Sequence, residues 1–177
     1  MIKFNVASIN RCTETEGPYK RLCIWFQGCD IRCNECCNPD YQPFIARHIM
    51  SLDDIISVIK KSIDDFGIEG VTYSGGEPTC QHNLPFLTDE IKKLGLGIIS
   101  FTGRKYEDVS DVLAGIDLVL DGEYVLEEKE TKRRLLGSEN QRILCLTDRY
   151  KNDISWFDIV KNGKSVEVNL SDKIVFN

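Results

Sequence analysis

A chain of 177 residues, 42% of them hydrophobic, is long enough to bury one core and short for two domains, so a single domain over 1–177 is expected. Its 28 acidic residues outweigh 22 basic ones for a net charge of −6, the wrong balance for a nucleic-acid surface. No stretch approaches the ~18 apolar residues of a membrane span, and Met1–Val6 lacks the apolar run of a signal peptide, so a cytoplasmic protein that engages neither nucleic acid nor membrane is expected.

In chain order, Leu22-Cys23-Ile24-Trp25-Phe26 is the first apolar, β-rich run, and a cysteine-dense loop follows it. Ser51 predicts an N-cap, with Asp54 three residues on as in a capping box. Leu52, Ile55, Ile56, Ile59, Ile63 and Phe66 then mark one helical face that Gly67 ends. Val71–Ser74 predicts a strand that leaves into Gly75-Gly76-Glu77-Pro78. Asn83 is placed to cap a helix with Leu84, Leu87, Ile91 and Leu94 on its apolar face, closed by Gly95. A strand at Leu96–Phe101, a helix near Tyr106–Ala114, and strands at Ile116–Leu120 and Arg142–Leu146 follow, with a terminal hairpin around Ser171-Asp172. Repeated βα units predict a parallel sheet with right-handed crossovers. A complete eightfold barrel needs about 250 residues, so the expected fold is α/β, an open partial (β/α) barrel of five to six βα units.

Eight cysteines are many for a cytosolic chain, and four of them (Cys29, Cys33, Cys36 and Cys37) crowd one loop. A disulfide framework spreads its pairs along the chain, whereas a metal site gathers its thiolates. Cys29, Cys33 and Cys36 have the spacing C-x3-C-x2-C. Four thiolates usually hold an iron–sulfur cluster; three leave one iron open, and an open position is where a metal site does chemistry. A structural zinc ion is the alternative, but it wants a fourth ligand. Cys37 points away from its neighbour Cys36, and His48 and His82 are isolated. Cys23 and Cys145 read as core thiols, Cys80 as a packed thiol or one facing a pocket, and Cys12 is uninformative. Lys129, Lys132, Arg133 and Arg134 form the densest basic run, read as a solvated loop or as a docking patch for an acidic partner.

The cysteine spacing, placed after the first predicted strand, resembles the signature of the radical S-adenosylmethionine (SAM) superfamily. Gly75-Gly76-Glu77-Pro78 after the next strand resembles that superfamily's second motif. The resemblance implies one [4Fe–4S] cluster on Cys29, Cys33 and Cys36. Its open iron would be chelated by SAM's methionine and its reduced form would release a 5′-deoxyadenosyl radical. It also implies a methionine pocket at Gly75, Gly76 and Glu77, and a low-potential electron donor such as flavodoxin or ferredoxin. Ser100, Thr102 and Asp121, at later strand ends, are candidates for SAM's ribose or carboxylate. Glu35 stands where many members carry an aromatic residue.

Asp121-Gly122-Glu123-Tyr124 with Gly137-Ser138-Glu139-Asn140-Gln141-Arg142 is similar to the activating enzymes of anaerobic ribonucleotide reductase. This implies a glycyl-radical enzyme as protein substrate. The queuosine-pathway 7-carboxy-7-deazaguanine synthases, which act on a small pterin, are the rival resemblance through Glu16-Gly17-Pro18-Tyr19. Cys37-Asn38 replaces their Asp-Thr after the third cysteine. An electron carrier without catalysis would account for the cysteines but not for the glycine loop.

Overall fold

Alternation along the strands assigns side chains to two layers. In the computed structural model, which describes residues 1–159, seven strands form one open sheet. They are β1 (Lys3–Thr13), β2 (Arg21–Phe26), β3 (His48–Ser51), β4 (Gly70–Gly75), β5 (Gly97–Thr102), β6 (Leu118–Asp121) and β7 (Arg142–Cys145), in the spatial order β3-β1-β2-β4-β5-β6-β7. The four strands β2, β4, β5 and β6 are parallel; β1 and β3 extend the sheet antiparallel on one side and β7 on the other.

The architecture is the open α/β sheet expected, with fewer βα units than the count of apolar runs implied. A parallel return needs a crossover, usually a helix, and the segment between β6 and β7 has only a single 3-10 turn at Leu126–Glu128. β7 therefore comes back antiparallel. β1 has no counterpart in the sequence reading. It buries Phe4, Val6 and Ile9, but register shifts at Val6/Ser8 and Asn10/Thr13 break its alternation, so no clean period of two is left to read. The hairpin expected around Ser171-Asp172 lies outside the described residues.

Helices α1 (Leu52–Phe66) and α2 (Leu84–Lys93) cover one face of the sheet. Ser51 caps α1 with the reciprocal Asp54 capping box, and Gly67 ends it in the left-handed conformation, φ 63°. Ile55, Ile59, Leu84, Leu87 and Ile91 pack there on Leu22, Ile24, Val71, Tyr73, Ile98 and Val119. The alternate residues Ile99, Leu118 and Leu120 face the other side, under Leu136, Tyr150 and Phe157. α3 is a single turn, Tyr106–Val109, rather than a helix to Ala114; so short a segment has little helical stability of its own. Asn83 precedes α2 without a side-chain cap and instead donates to the Lys3 carbonyl. Among the described residues no helix is long and apolar enough to cross a membrane.

Arg21, at the start of β2, is fully buried. Its Nε donates to Thr72 Oγ1 (2.8 Å), and Nη1 to Tyr150 Oη (2.9 Å), Glu69 Oε2 (3.1 Å) and the Pro18 carbonyl (3.2 Å). Nη2 reaches the carbonyls of Val71 (2.9 Å) and Gly97 (3.3 Å). One guanidinium thus joins β2, β4, β5 and the residues after β7. It lies against Gly17 and Gly70, where an added Cβ would come within 2.9 Å and 2.6 Å of it. Removing a buried partner leaves its acceptors unpaired, a loss of about 3–5 kcal/mol for a buried ion pair; Glu69, partly exposed, recovers some of that from water. Arg21→Met should therefore destabilise the fold by about 3 kcal/mol, measured by urea unfolding. A change below about 1 kcal/mol would show that the guanidinium is dispensable.

Candidate functional site

The cysteine loop leaves the C-terminal end of β2, and the glycine loop leaves the same end of its parallel neighbour β4. Strand pairing puts Phe26 opposite Gly75, and the ladder runs on past both ends: Gly76 N–H donates to the Phe26 carbonyl (2.8 Å) and Glu77 N–H to the Gly28 carbonyl (2.9 Å). Two backbones this close leave no room for side chains. A Cβ on Gly75 would sit 2.3 Å from Phe26 N, and one on Gly76 would sit 2.3 Å from Gly28 O and 2.7 Å from Tyr41 O. Gly75 also has φ 109°, the left-handed region that favours glycine. The need for glycine at 76 therefore arises from contact with the cysteine loop itself.

That loop is closed at its base. Gly28 and Cys29 N–H groups donate to the carbonyls of Tyr41 and Gln42 (2.8 and 2.9 Å), and the buried Gln27 amide donates to Asp40 O and Pro43 O. At its tip Arg32 and Glu35, directly before Cys33 and Cys36, both have positive φ (55° and 53°). Non-glycine residues adopt this conformation at a cost, typically where function or packing requires it. Cys29 is buried, Cys33 and Cys36 are half-buried, and Cys37 is exposed. Burial pushes the Cys33 thiol up, the nearby Cys29 and Cys36 add to the rise, and the Tyr124 backbone hydrogen bond opposes it. Burial likewise raises Cys37 and, strongly, Cys23.

A zinc ion would need its sulfurs about 2.3 Å from one centre. Among the described residues, no three His, Cys, Asp or Glu side chains gather for a single ion. Cluster thiolates each take a different iron and stand further apart. Three neighbouring thiols that disfavour one another's ionisation suit a cationic iron group that would compensate them, so the donor set fits a cluster.

The polar strand-end residues are placed differently from the expectation. The Glu77 side chain is buried and fully engaged: Oε1 accepts from Thr79 N–H (3.0 Å), Thr79 Oγ1 (2.7 Å) and Thr102 Oγ1 (2.8 Å), and Oε2 from Gly103 N–H (2.9 Å). Asp121 is buried, accepting from Tyr106 N–H (2.7 Å) and from both Arg142 Nε (2.9 Å) and Nη2. The buried Ser100 hydroxyl donates to the Phe101 carbonyl. Glu77 and Thr102 are thus brought together, while Ser100 and Asp121 hold their own strands.

Sequence reading missed the pair that ties these loops to the cysteines. Arg104 donates to both carboxylate oxygens of Asp30, next to Cys29, at 2.5 and 2.7 Å, and to Thr79 Oγ1 at 3.1 Å. Opposite charges just beyond two strand ends were the available signal. Cys80 donates to Asp30 (3.4 Å) and lines a cleft of about 410 Å³ with Asp30, Phe44, Thr79, His82 and Arg104. Burial, helped by Asp30, pushes its thiol up to about 11, so it is inert at neutral pH. In the basic run, Arg133 is spent on Glu130 and the carbonyls of Gln141 and Glu139, and Arg134 lies on the Trp156 ring (4.5 Å). Lys129 and Lys132 are exposed.

An open α/β sheet that sets a three-thiol loop beside a glycine turn is the architecture of a radical SAM protein. The model of the 4Fe-4S single cluster domain matches residues 15–144, about three quarters of the chain. The anaerobic ribonucleoside-triphosphate reductase-activating protein of Enterobacteria phage T4 is 28% identical over 156 residues, covering 81% of this chain and 96% of that protein. Pyruvate formate-lyase-activating enzymes of Clostridium pasteurianum (32% over 127 residues) and Staphylococcus aureus (30% over 159 residues) align with 68% and 81% of the chain. The matches take in 52% and 62% of those longer enzymes. The crystal structure of QueE from Escherichia coli superposes with a TM-score of 0.49 at 22% identity, over 57% of this chain and 52% of that one.

The chain belongs to the 4Fe-4S single cluster domain family and is an activase-like member of the radical SAM superfamily, with a [4Fe–4S] cluster and SAM as its cofactors.

Gly76→Ala should force the cysteine loop away from β4. The expected result is a loss of about 1–3 kcal/mol in stability together with reduced iron after reconstitution, read by unfolding and iron assay. Full iron and unchanged stability would show that the two loops are not locked together.

Proposed function

We propose that this protein is an activase that generates a glycyl radical on a partner enzyme, with anaerobic ribonucleoside-triphosphate reductase as that partner. The observation that carries the reading is the alignment with nearly the whole of the phage T4 activating protein. Cys29, Cys33 and Cys36 would hold the cluster. When bound, the cluster supplies the electron that splits the SAM sulfonium, and the adenosyl radical so released takes a hydrogen atom from the partner's glycine.

The chain's own residues do the positioning. Gln27 and the Gly28–Cys29 backbone anchor the loop so that Cys29 faces inward. Glu77 takes up both Thr hydroxyls and the Gly103 N–H, which leaves backbone at Gly75–Gly76 as the surface a methionine moiety would meet. The sheet ends at β3 and β7 without the two pairing, and an open mouth of this kind can admit a loop of a folded partner. The electron comes from a low-potential donor of the flavodoxin or ferredoxin class.

Anaerobic reconstitution should incorporate about four irons per chain. Alanine at Cys29, Cys33 or Cys36 should abolish this, and alanine at Cys12, Cys23 or Cys145 should not. Loss of iron from Cys37→Ala or Cys80→Ala alone would overturn the ligand assignment.

Mixing the reduced protein, SAM and anaerobic ribonucleotide reductase should give a glycine-centred doublet in the electron paramagnetic resonance spectrum. Turnover of a small pterin with no protein radical would replace the activase reading by the synthase one.

A further inference from the structure

The segment Gly137–Arg142 carries much of the sequence resemblance, yet none of the chemistry above uses it. Its side chains are turned toward the rest of the chain. Gln141 Oε1 accepts from the N–H groups of Gly137 (2.7 Å) and Ser138 (3.2 Å), and its Nε2 donates to the Gly122 carbonyl (2.8 Å). Asn140 Nδ2 donates to the Glu123 carbonyl (2.8 Å), and the buried Ser138 Oγ accepts from Val125 N–H (3.1 Å). Arg133 grips the loop from outside, at the carbonyls of Glu139 and Gln141 (both 3.0 Å).

Residues 122–125 are therefore held from one side by three consecutive contacts. Gly137 lies so close to the Tyr124 ring that an added Cβ would stand 2.8 Å from it. On the other side of this strap is Cys33, to whose sulfur the Tyr124 backbone N–H is hydrogen-bonded.

We propose that the Gly137–Arg142 loop is a positioning device for the cluster. It clamps the Gly122–Val125 strap so that the Tyr124 N–H is aimed at the Cys33 sulfur, and in doing so it raises the reduction potential of the cluster. The inference rests on Cys33 being a cluster ligand. Reduction adds negative charge that is shared with the thiolate sulfurs, and a hydrogen bond to a sulfur favours the more negative state. Asn140 and Gln141 act through the strap and touch neither cluster nor substrate.

The test uses the full chain with its cluster reconstituted from iron and sulfide. The midpoint potential is followed by redox titration, and the exchangeable proton nearest the cluster by electron–nuclear double resonance in deuterated buffer. Asn140→Ala and Gln141→Ala should keep their iron, shift the midpoint to more negative potential and weaken the exchangeable-proton coupling. The larger shift is expected for Gln141→Ala, which loses three hydrogen bonds. Ser57→Ala, exposed on α1, should match the unmodified protein. Full iron with an unshifted potential and an unchanged coupling in both variants would overturn the proposal. Should Gln141→Ala not fold, Asn140→Ala decides alone, since it removes one hydrogen bond at an exposed site. A four-iron cluster persisting in Cys33→Ala would remove the ligand assignment beneath the proposal, which is a different failure from a strap without influence.

Discussion

The parallel pairing of β2 with β4 is the constraint on which the site depends. A parallel ladder keeps both strands' carboxyl ends at one edge, so the loops that follow must share the same space. Here the ladder does not stop with the strands. It continues through Gly76 N–H to Phe26 O and Glu77 N–H to Gly28 O, which welds the base of the cysteine loop to the glycine turn. The contact requires missing Cβ atoms, because side chains at 75 or 76 would occupy backbone positions of the neighbouring loop. The two motifs, some forty residues apart in the chain, are a single structural object.

A second layer of polar contacts extends this object to the next strand. Glu77 is a buried carboxylate with four donors, drawn from its own turn and from the loop after β5. A buried charge is tolerated when it is fully hydrogen-bonded, and this one is. Arg104 then carries the connection outward to Asp30 and so back to the cysteine loop. Three loops from three adjacent strands are thereby closed into a ring of hydrogen bonds around the mouth. The side chains that line a generic α/β active site as ligand contacts are used here largely as scaffold, and backbone is left to meet the cofactor.

The far end of the sheet is governed by Arg21, whose six hydrogen bonds reach β4, β5, the Gly17–Pro18 turn and Tyr150. This explains why Glu16-Gly17-Pro18 resembles an enzyme motif while doing structural work. The Glu16 carbonyl takes the Thr72 hydroxyl and the Pro18 carbonyl takes Arg21. Such a segment is a weak guide to substrate.

The sequence by itself determined what depends on local order. The C-x3-C-x2-C spacing, the Ser51–Asp54 capping box, the Gly67 stop and the apolar faces of α1 and α2 are all encoded within a few residues, and each stands where its pattern placed it. The tertiary structure alone decided what depends on distant neighbours. β1 is bulged, and its pairing partners begin at Arg21 and His48. Glu77, Thr102 and Asp121 read as strand-end polar groups that could face a ligand, and only the arrangement of β4, β5, β6 and β7 shows that Thr79, Gly103, Tyr106 and Arg142 claim them. The Asp30–Arg104 pair spans 74 residues and the Asn140–Glu123 bond spans 17. A hydrogen bond's partner is set by where two backbones meet in space, and composition and periodicity carry no record of that meeting.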